Sequence, residues 1–179
     1  KLYYNPNPNL SVLVYGSSFF MNTYDLIQDM TFSQARDWTA GTKVTYHVKD
    51  WFSVTGSLHA DFYDRFKRHE RIDKRQKDYE SSIYQPRLTV TSNYFNGHSL
   101  ILGMEHTSDE LTSDRFSGNA NHDLKTRALK ETEYFLQDEW TINPRWMISA
   151  GIRTNFSKAF GFMGMPKVAA KYSPDKHWS

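Results

Sequence analysis

The stretch from Trp51 to Tyr63, W-F-S-V-T-G-S-L-H-A-D-F-Y, constrains the fold more than any other. Its even positions carry Phe52, Val54, Gly56, Leu58, Ala60 and Phe62, while Ser53, Thr55, Ser57, His59 and Asp61 occupy the odd ones. Successive side chains of a strand point to opposite faces, so this segment has one apolar and one polar face. Two architectures use such a strand. A soluble antiparallel sheet packs one face on a core and leaves the other in water. A transmembrane barrel turns the apolar face to lipid and the polar face to a wet lumen.

The same alternation recurs along the chain. Leu10–Phe20 is rich in Val, Tyr and Phe, with the alternation blurred because Leu10, Val12 and Val14 share one face but Leu13 and Tyr15 the other, and Ala40–Val48 places Val44, Tyr46 and Val48 opposite Lys43, Thr45 and His47. Leu88–Phe95 follows Pro86, which marks a strand entrance because proline is confined to strand starts and edges. Asn96-Gly97 is a hairpin turn leading into Leu100–His106. Ala128–Trp140, Trp146–Phe156 and Lys167–Tyr172 complete an expected set of eight strands. Tyr24–Trp38 reads as a frayed strand end plus loop, and the charged run from Arg65 to Asp78 and the polar stretch Thr107–Thr126 read as solvated loops. Short turns near 49–50, 96–97, 142–145 and 173–177 thus alternate with longer connections near 21–39, 64–83, 107–127 and 157–164.

That alternation is expected of an up-and-down outer-membrane barrel, with short turns on the periplasmic side and long loops outside. Trp51, Trp140, Trp146 and Trp178 all lie beside short turns, as a girdle at one membrane interface would require. A soluble meander has no reason to sort tryptophan to one end. Composition is compatible with both readings. Aromatic residues make up 16% of the chain, yet mean hydropathy is −0.69, and no apolar run approaches the ~18 residues of a membrane helix. Cysteine is absent, which excludes disulfides and cysteine-based chemistry. Twenty-two basic and 20 acidic residues leave a net charge of +2, which argues against a nucleic-acid partner.

Four segments resemble, in order, those of the TonB-dependent outer-membrane receptors. H-S-L-I-L-G-M-E-H (98–106) is similar to the family strand that opens on Asn or His and ends in G-x-E. Y-F-L-Q-D-E-W (134–140) resembles its aromatic-x-Q-D-E segment, and I-S-A-G-I-R-T-N-F (148–156) its G-x-R-x-D strand, with Asn155 near the usual Asp. F-G-F-M-G-M-P-K-V-A-A-K-Y-S-P (160–174) resembles the strand and turn that follow. The resemblance implies an all-β, antiparallel up-and-down transmembrane barrel sector, about eight strands of a wall of roughly 22. Residues 1–179 would form a partial barrel domain, read as an internal piece without the family's plug domain or barrel-closing strand. It further implies a location in the bacterial outer membrane and import of a scarce nutrient such as a ferric siderophore or haem. The implied partners are the receptor's own plug, the TonB energy-coupling system, outer-membrane lipid and the nutrient itself. A soluble β-sandwich or calyx binding a small ligand, and a complete eight-stranded barrel, are the alternatives.

No catalytic constellation is present in the sequence, no cofactor is implied, and none of the seven histidines forms an H-E-x-x-H pair. His69, His106 and His122 fall in or beside expected outer loops and are candidate ligand contacts, with solvated loop histidines the plainer reading. His59, Asp61, Arg87, Glu105, Arg153, Lys167 and Lys171 share the expected lumen face, where they would hydrate the wall, pair with one another, or meet a plug. Glu131, Glu133 and Glu139 share one strand face without defining an acid–base pair.

Overall fold

The computed structural model describes residues 1–24, 31–69, 74–113, 116 and 124–174. Nine strands follow one another in chain order: β1 (Leu2–Asn7), β2 (Leu10–Tyr24), β3 (Thr31–Lys49), β4 (Phe52–His69), β5 (Lys74–Ser92), β6 (His98–Ser113), β7 (Lys125–Asn143), β8 (Trp146–Ser157) and β9 (Gly161–Tyr172). Each pairs antiparallel with the next in a single up-and-down sheet, β1 through β9. This is a barrel wall that does not close on itself among the described residues. One strand more than the sequence suggested is present, because Leu2–Asn7 pairs back on β2 through Leu2–Val14, Tyr3–Leu13 and Tyr4–Val12.

Register is continuous across the sheet. Leu10, Tyr46, Val54, Val90, Leu102, Leu136, Ile152 and Pro166 form one transverse row. The row three positions away, Leu13, Lys43, Ser57, Arg87, Glu105, Glu133, Asn155 and Met163, is mostly polar. Across these two rows even residue numbers mark the apolar face and odd numbers the other. A one-residue slip would exchange the faces of a strand, so the pattern itself fixes the register.

The apolar face is not a core. Among the described residues the one buried hydrophobic side chain is Ala35, while Leu58, Leu102, Leu136 and Ile152 are each more than 40% exposed. A soluble sandwich would cover that face, so the soluble reading fails on burial.

The expected outer loops are largely strand. β4 runs up to His69 and β5 starts at Lys74, leaving 70–73 between them. β3 begins at Thr31 and β6 continues to Ser113. Strands of 18 and 19 residues exceed the ~9–11 needed to cross a bilayer, and the excess is where the charges are. Pro86 sits inside β5, not at its entrance. Pro86 stays opposite Leu58 of β4, while pairing to β6 lapses around it, from Tyr84–Ser108 to Arg87–Glu105. The Asn96-Gly97 turn is as expected, with Gly97 at φ 77° and the His98 N–H donating to the Phe95 carbonyl at 3.0 Å.

Candidate functional site

The outer face carries aromatic belts at two heights. Beside the short turns, Trp51 packs on Tyr94 at 4.8 Å and Trp146 on Tyr172 at 4.6 Å. Farther up, Phe20 meets Trp38 and Phe62 meets Tyr84, both edge-on at 5.4 Å. On β8, Phe156 links Tyr134 at 6.1 Å to Phe162 at 5.0 Å. Phe52 to Phe62, Trp146 to Phe156 and Tyr172 to Phe162 each span ten positions. At ~3.3 Å per residue and a tilt near 45°, that is roughly 23 Å of height, close to the apolar band of an outer-membrane barrel. The lower belt was legible from tryptophan beside turns; Trp178 lies outside the described residues. The upper belt was missed, although an even-numbered aromatic ten positions from a turn is its signal.

One polar pair interrupts the outer face near the lower belt. The His98 Nδ1 and Asp138 Oδ2 are 2.7 Å apart, and the His98 ring stacks on Trp140 at 5.3 Å. Sequence reading passed over Asp138 because it sits between Gln137 and Glu139, yet it occupies the apolar parity opposite Leu100.

The opposite face is a hydrogen-bonded wall. Thr39 donates to Asp61 at 2.6 Å, and Arg87 lies 3.6 Å from Glu105. Arg153 pairs with Glu133, and the Asn155 amide donates to Glu131 at 3.2 Å. Two glycines let rings lie flat across this wall. Tyr15 of β2 and His59 of β4 both pair with Gly41 of β3, and Tyr15 reaches over the glycine to place its hydroxyl 3.1 Å from His59 Nδ1. The Phe135 ring of β7 likewise covers Gly103 of β6 and receives the Arg87 guanidinium of β5 at 4.8 Å. Arg87, Phe135, Ser149, Arg153 and Lys167 border a cleft of about 580 Å³ on this side. Lys171 lies on the same parity of β9, opposite Met147.

The three candidate loop histidines are not brought together. His106 is within β6 on the even parity, its Nδ1 2.9 Å from Thr132 Oγ1, rather than in a loop. His69 ends β4, and His122 lies outside the described residues. Above the belts the β4–β5 pair is held by Asp78, the extra residue of a bulge at Arg65/Phe66. Its buried carboxylate accepts from Arg65 at 2.8 Å and Lys67 at 3.1 Å. Burial pushes its pKa up, but the hydrogen bonds and charges of Arg65 and Lys67 outweigh that and hold it below the ordinary carboxylate value of 3.8. Among the described residues no group of His, Asp and Glu could hold a metal ion.

An open antiparallel wall, belted outside and polar inside, matches the TonB-dependent receptor-like β-barrel family over residues 2–179. The chain belongs to this family. No curated protein sequence matches it. Its fold is similar to that of a point mutant of the ferric enterobactin receptor of Pseudomonas aeruginosa, with a TM-score of 0.77 at 12% identity. That likeness covers 97% of this chain and 30% of the receptor's, so the chain spans under a third of the length of that relative. The TonB-dependent receptor barrel and its antiparallel up-and-down strands are therefore as the sequence resemblance implied.

Proposed function

We propose that this chain forms wall and outer strands of a bacterial outer-membrane receptor that imports a scarce nutrient, such as a ferric siderophore or haem, with energy delivered through TonB. The observation that carries this reading is the exposed apolar band between two aromatic belts, backed by a polar wall. In lipid every backbone polar group needs an internal partner, a condition that a closed barrel meets and an open sheet edge does not. The family, one of receptors and not of enzymes, supplies the transport reading, and the ferric siderophore named for the structural relative supports that ligand class. The wall residues Arg87, Glu105, Arg153, Lys167 and Lys171, with His59 and Asp61, would face the receptor's plug. No bond-making step is assigned to them.

Charge insertion separates the two faces. Lys at Leu58 or Ile152 faces lipid about midway between the belts and costs ~2–4 kcal/mol, so outer-membrane assembly should be lost. Lys at Thr55 or Ser149 faces the polar wall and should be tolerated. Equal tolerance on both faces, read as folded protein in the outer-membrane fraction, would overturn the membrane reading. For the receptor itself, growth on iron supplied as catecholate, hydroxamate or haem should depend on both the full receptor and TonB. Growth that is indifferent to the receptor on all three sources would remove iron import.

A further inference from the structure

Two side chains from strands that do not pair with each other meet on the inner wall. Tyr15 of β2 and His59 of β4 flank Gly41 of β3. The phenol hydroxyl lies 3.1 Å from His59 Nδ1, with the two rings 23° from parallel. In the Nε2–H tautomer of His59 the hydroxyl donates and Nδ1 accepts. A phenol whose proton already points at a base can give that proton up when a metal takes its oxygen.

Around this pair the wall sorts by sign. Two positions toward the short turns, Lys43, Ser57 and Arg87 form a row. Lys43 is exposed and Glu105 lies 3.6 Å from Arg87, so one positive charge of the row is unmatched. Two positions toward the upper belt stands Asp61, held by the Thr39 hydroxyl at 2.6 Å. Two apolar side chains share this otherwise polar face, Leu13 opposite Lys43 and Ile83 opposite Asp61. Two positions are about 7 Å along a strand, a span that the long side chains of Lys43 and Arg87 can bridge.

We propose that Tyr15 is an axial ligand to the iron of haem, with His59 taking the phenol proton and Lys43 and Arg87 receiving the carboxylates at the edge of the macrocycle. This rests on the import reading given above and narrows its nutrient to haem, which His59 and Arg87 meet as it passes the plug. What decides among iron sources is the supply of ligands. No three His, Asp or Glu side chains come together among the described residues, so bare iron finds no site. A ferric siderophore brings a full set of donors and leaves no position for a protein oxygen. Haem fills its equatorial positions with its own nitrogens and takes axial ligands from protein, tyrosine among them. On binding, the iron–oxygen bond forms as the O–H bond breaks, the proton moves to His59 Nδ1, and water leaves the axial position.

The test titrates the full-length receptor in detergent with ferric haem and follows the absorbance of the iron. Wild type should show ferric haem with a phenolate ligand, and Tyr15→Phe should lose that spectrum. His59→Ala should keep it but bind haem about 10–100-fold more weakly, and the wall variant Lys171→Gln should match wild type. Haem dimethyl ester, which lacks free carboxylates, should bind about ten-fold less tightly. Iron-free protoporphyrin should not distinguish wild type from Tyr15→Phe. Should Tyr15→Phe fail to assemble, Gly41→Ala gives the answer: a Cβ there falls within the Tyr15 ring, so it should move the oxygen off the iron and lose the same spectrum. An unchanged spectrum in either variant, unchanged affinity in His59→Ala, or equal affinity for the ester overturns the proposal. So does a histidine-ligated spectrum in wild type, a Tyr15-dependent affinity for the iron-free ring, or no haem bound at all. A receptor that fails these tests yet supports growth on a ferric catecholate or hydroxamate leaves the import reading standing. One that supports growth on no iron source sinks that reading itself.

Discussion

At Gly41 one missing carbon decides what the inner wall can carry. A Cβ there would fall within the Tyr15 ring, and one at Gly103 within the Phe135 ring. Each glycine therefore lets an aromatic side chain cross a neighbouring strand and meet a polar partner two strands from its own. Gly41→Ala and Gly103→Ala should each destabilise by about 1–3 kcal/mol, the usual cost of overpacking. Thermal unfolding of the full receptor in detergent would show it as a lowered midpoint, and an unchanged midpoint in both would mean that the rings are free to swing aside. The parity of these residues was legible in the sequence, which sets His59, Arg87 and Glu105 on one face of the sheet. The glycine slots were not, because Tyr15 and His59 are 44 residues apart and their meeting depends on register across an intervening strand. Asp138 escaped for a different reason: a single carboxylate on an apolar face carries no periodic signal.

At the scale of an element, the β4–β5 pair shows why charged strands read as loops. Alternation marks a strand when one face is apolar, and above the upper belt neither face is. The ladder nonetheless continues from Arg65–Tyr79 to His69–Lys74, with opposite charges meeting across it on both faces. Lys77 with Asp64 lies on the outer side, and Asp78 with Arg65 and Lys67 on the inner. Asp78→Asn removes the charge that two cations share and turns one acceptor oxygen into a donor, and should loosen this pair by about 1–3 kcal/mol, seen as faster amide exchange confined to β4 and β5 above the belt. The pH dependence follows from the direction of the shift. Because the folded pKa of Asp78 lies below 3.8, its stabilisation is fully present above that ordinary value and is lost as pH falls through the lower folded one. Exchange protection of the upper β4–β5 amides should therefore hold from neutral pH down to about 4 and fall only in stronger acid. Loss of protection between pH 7 and 5 would show that another group holds the pair together.

At the scale of the whole molecule, the fold was legible because one rule, apolar residues mostly on even positions, recurs between the belts from strand to strand. Trp51–Tyr63 announced that rule, the turn spacing gave the topology, and the segments from 98 to 174 gave the family. The nutrient is not legible in the same way, since no stretch of sequence selects a ligand and candidate contacts such as His69 and His106 are held on separate strands. What the sheet does dictate is dependence on further wall. β1 and β9 each pair on one side only, and β9 carries exposed Phe162, Val168 and Tyr172 along its length. Unpaired edges are templates for association in water and are excluded from the bilayer, where an unmatched N–H or C=O costs several kcal/mol. Residues 1–179 produced alone and refolded in detergent should accordingly give aggregates or mixed oligomers, with no shift in gel mobility on heating. Supplied with the remaining strands of a full receptor, the same sequence should run as a heat-modifiable monomer. A protease-resistant, heat-modifiable monomer from residues 1–179 alone would mean that β1 and β9 can find each other, and the wall would then be a small barrel after all.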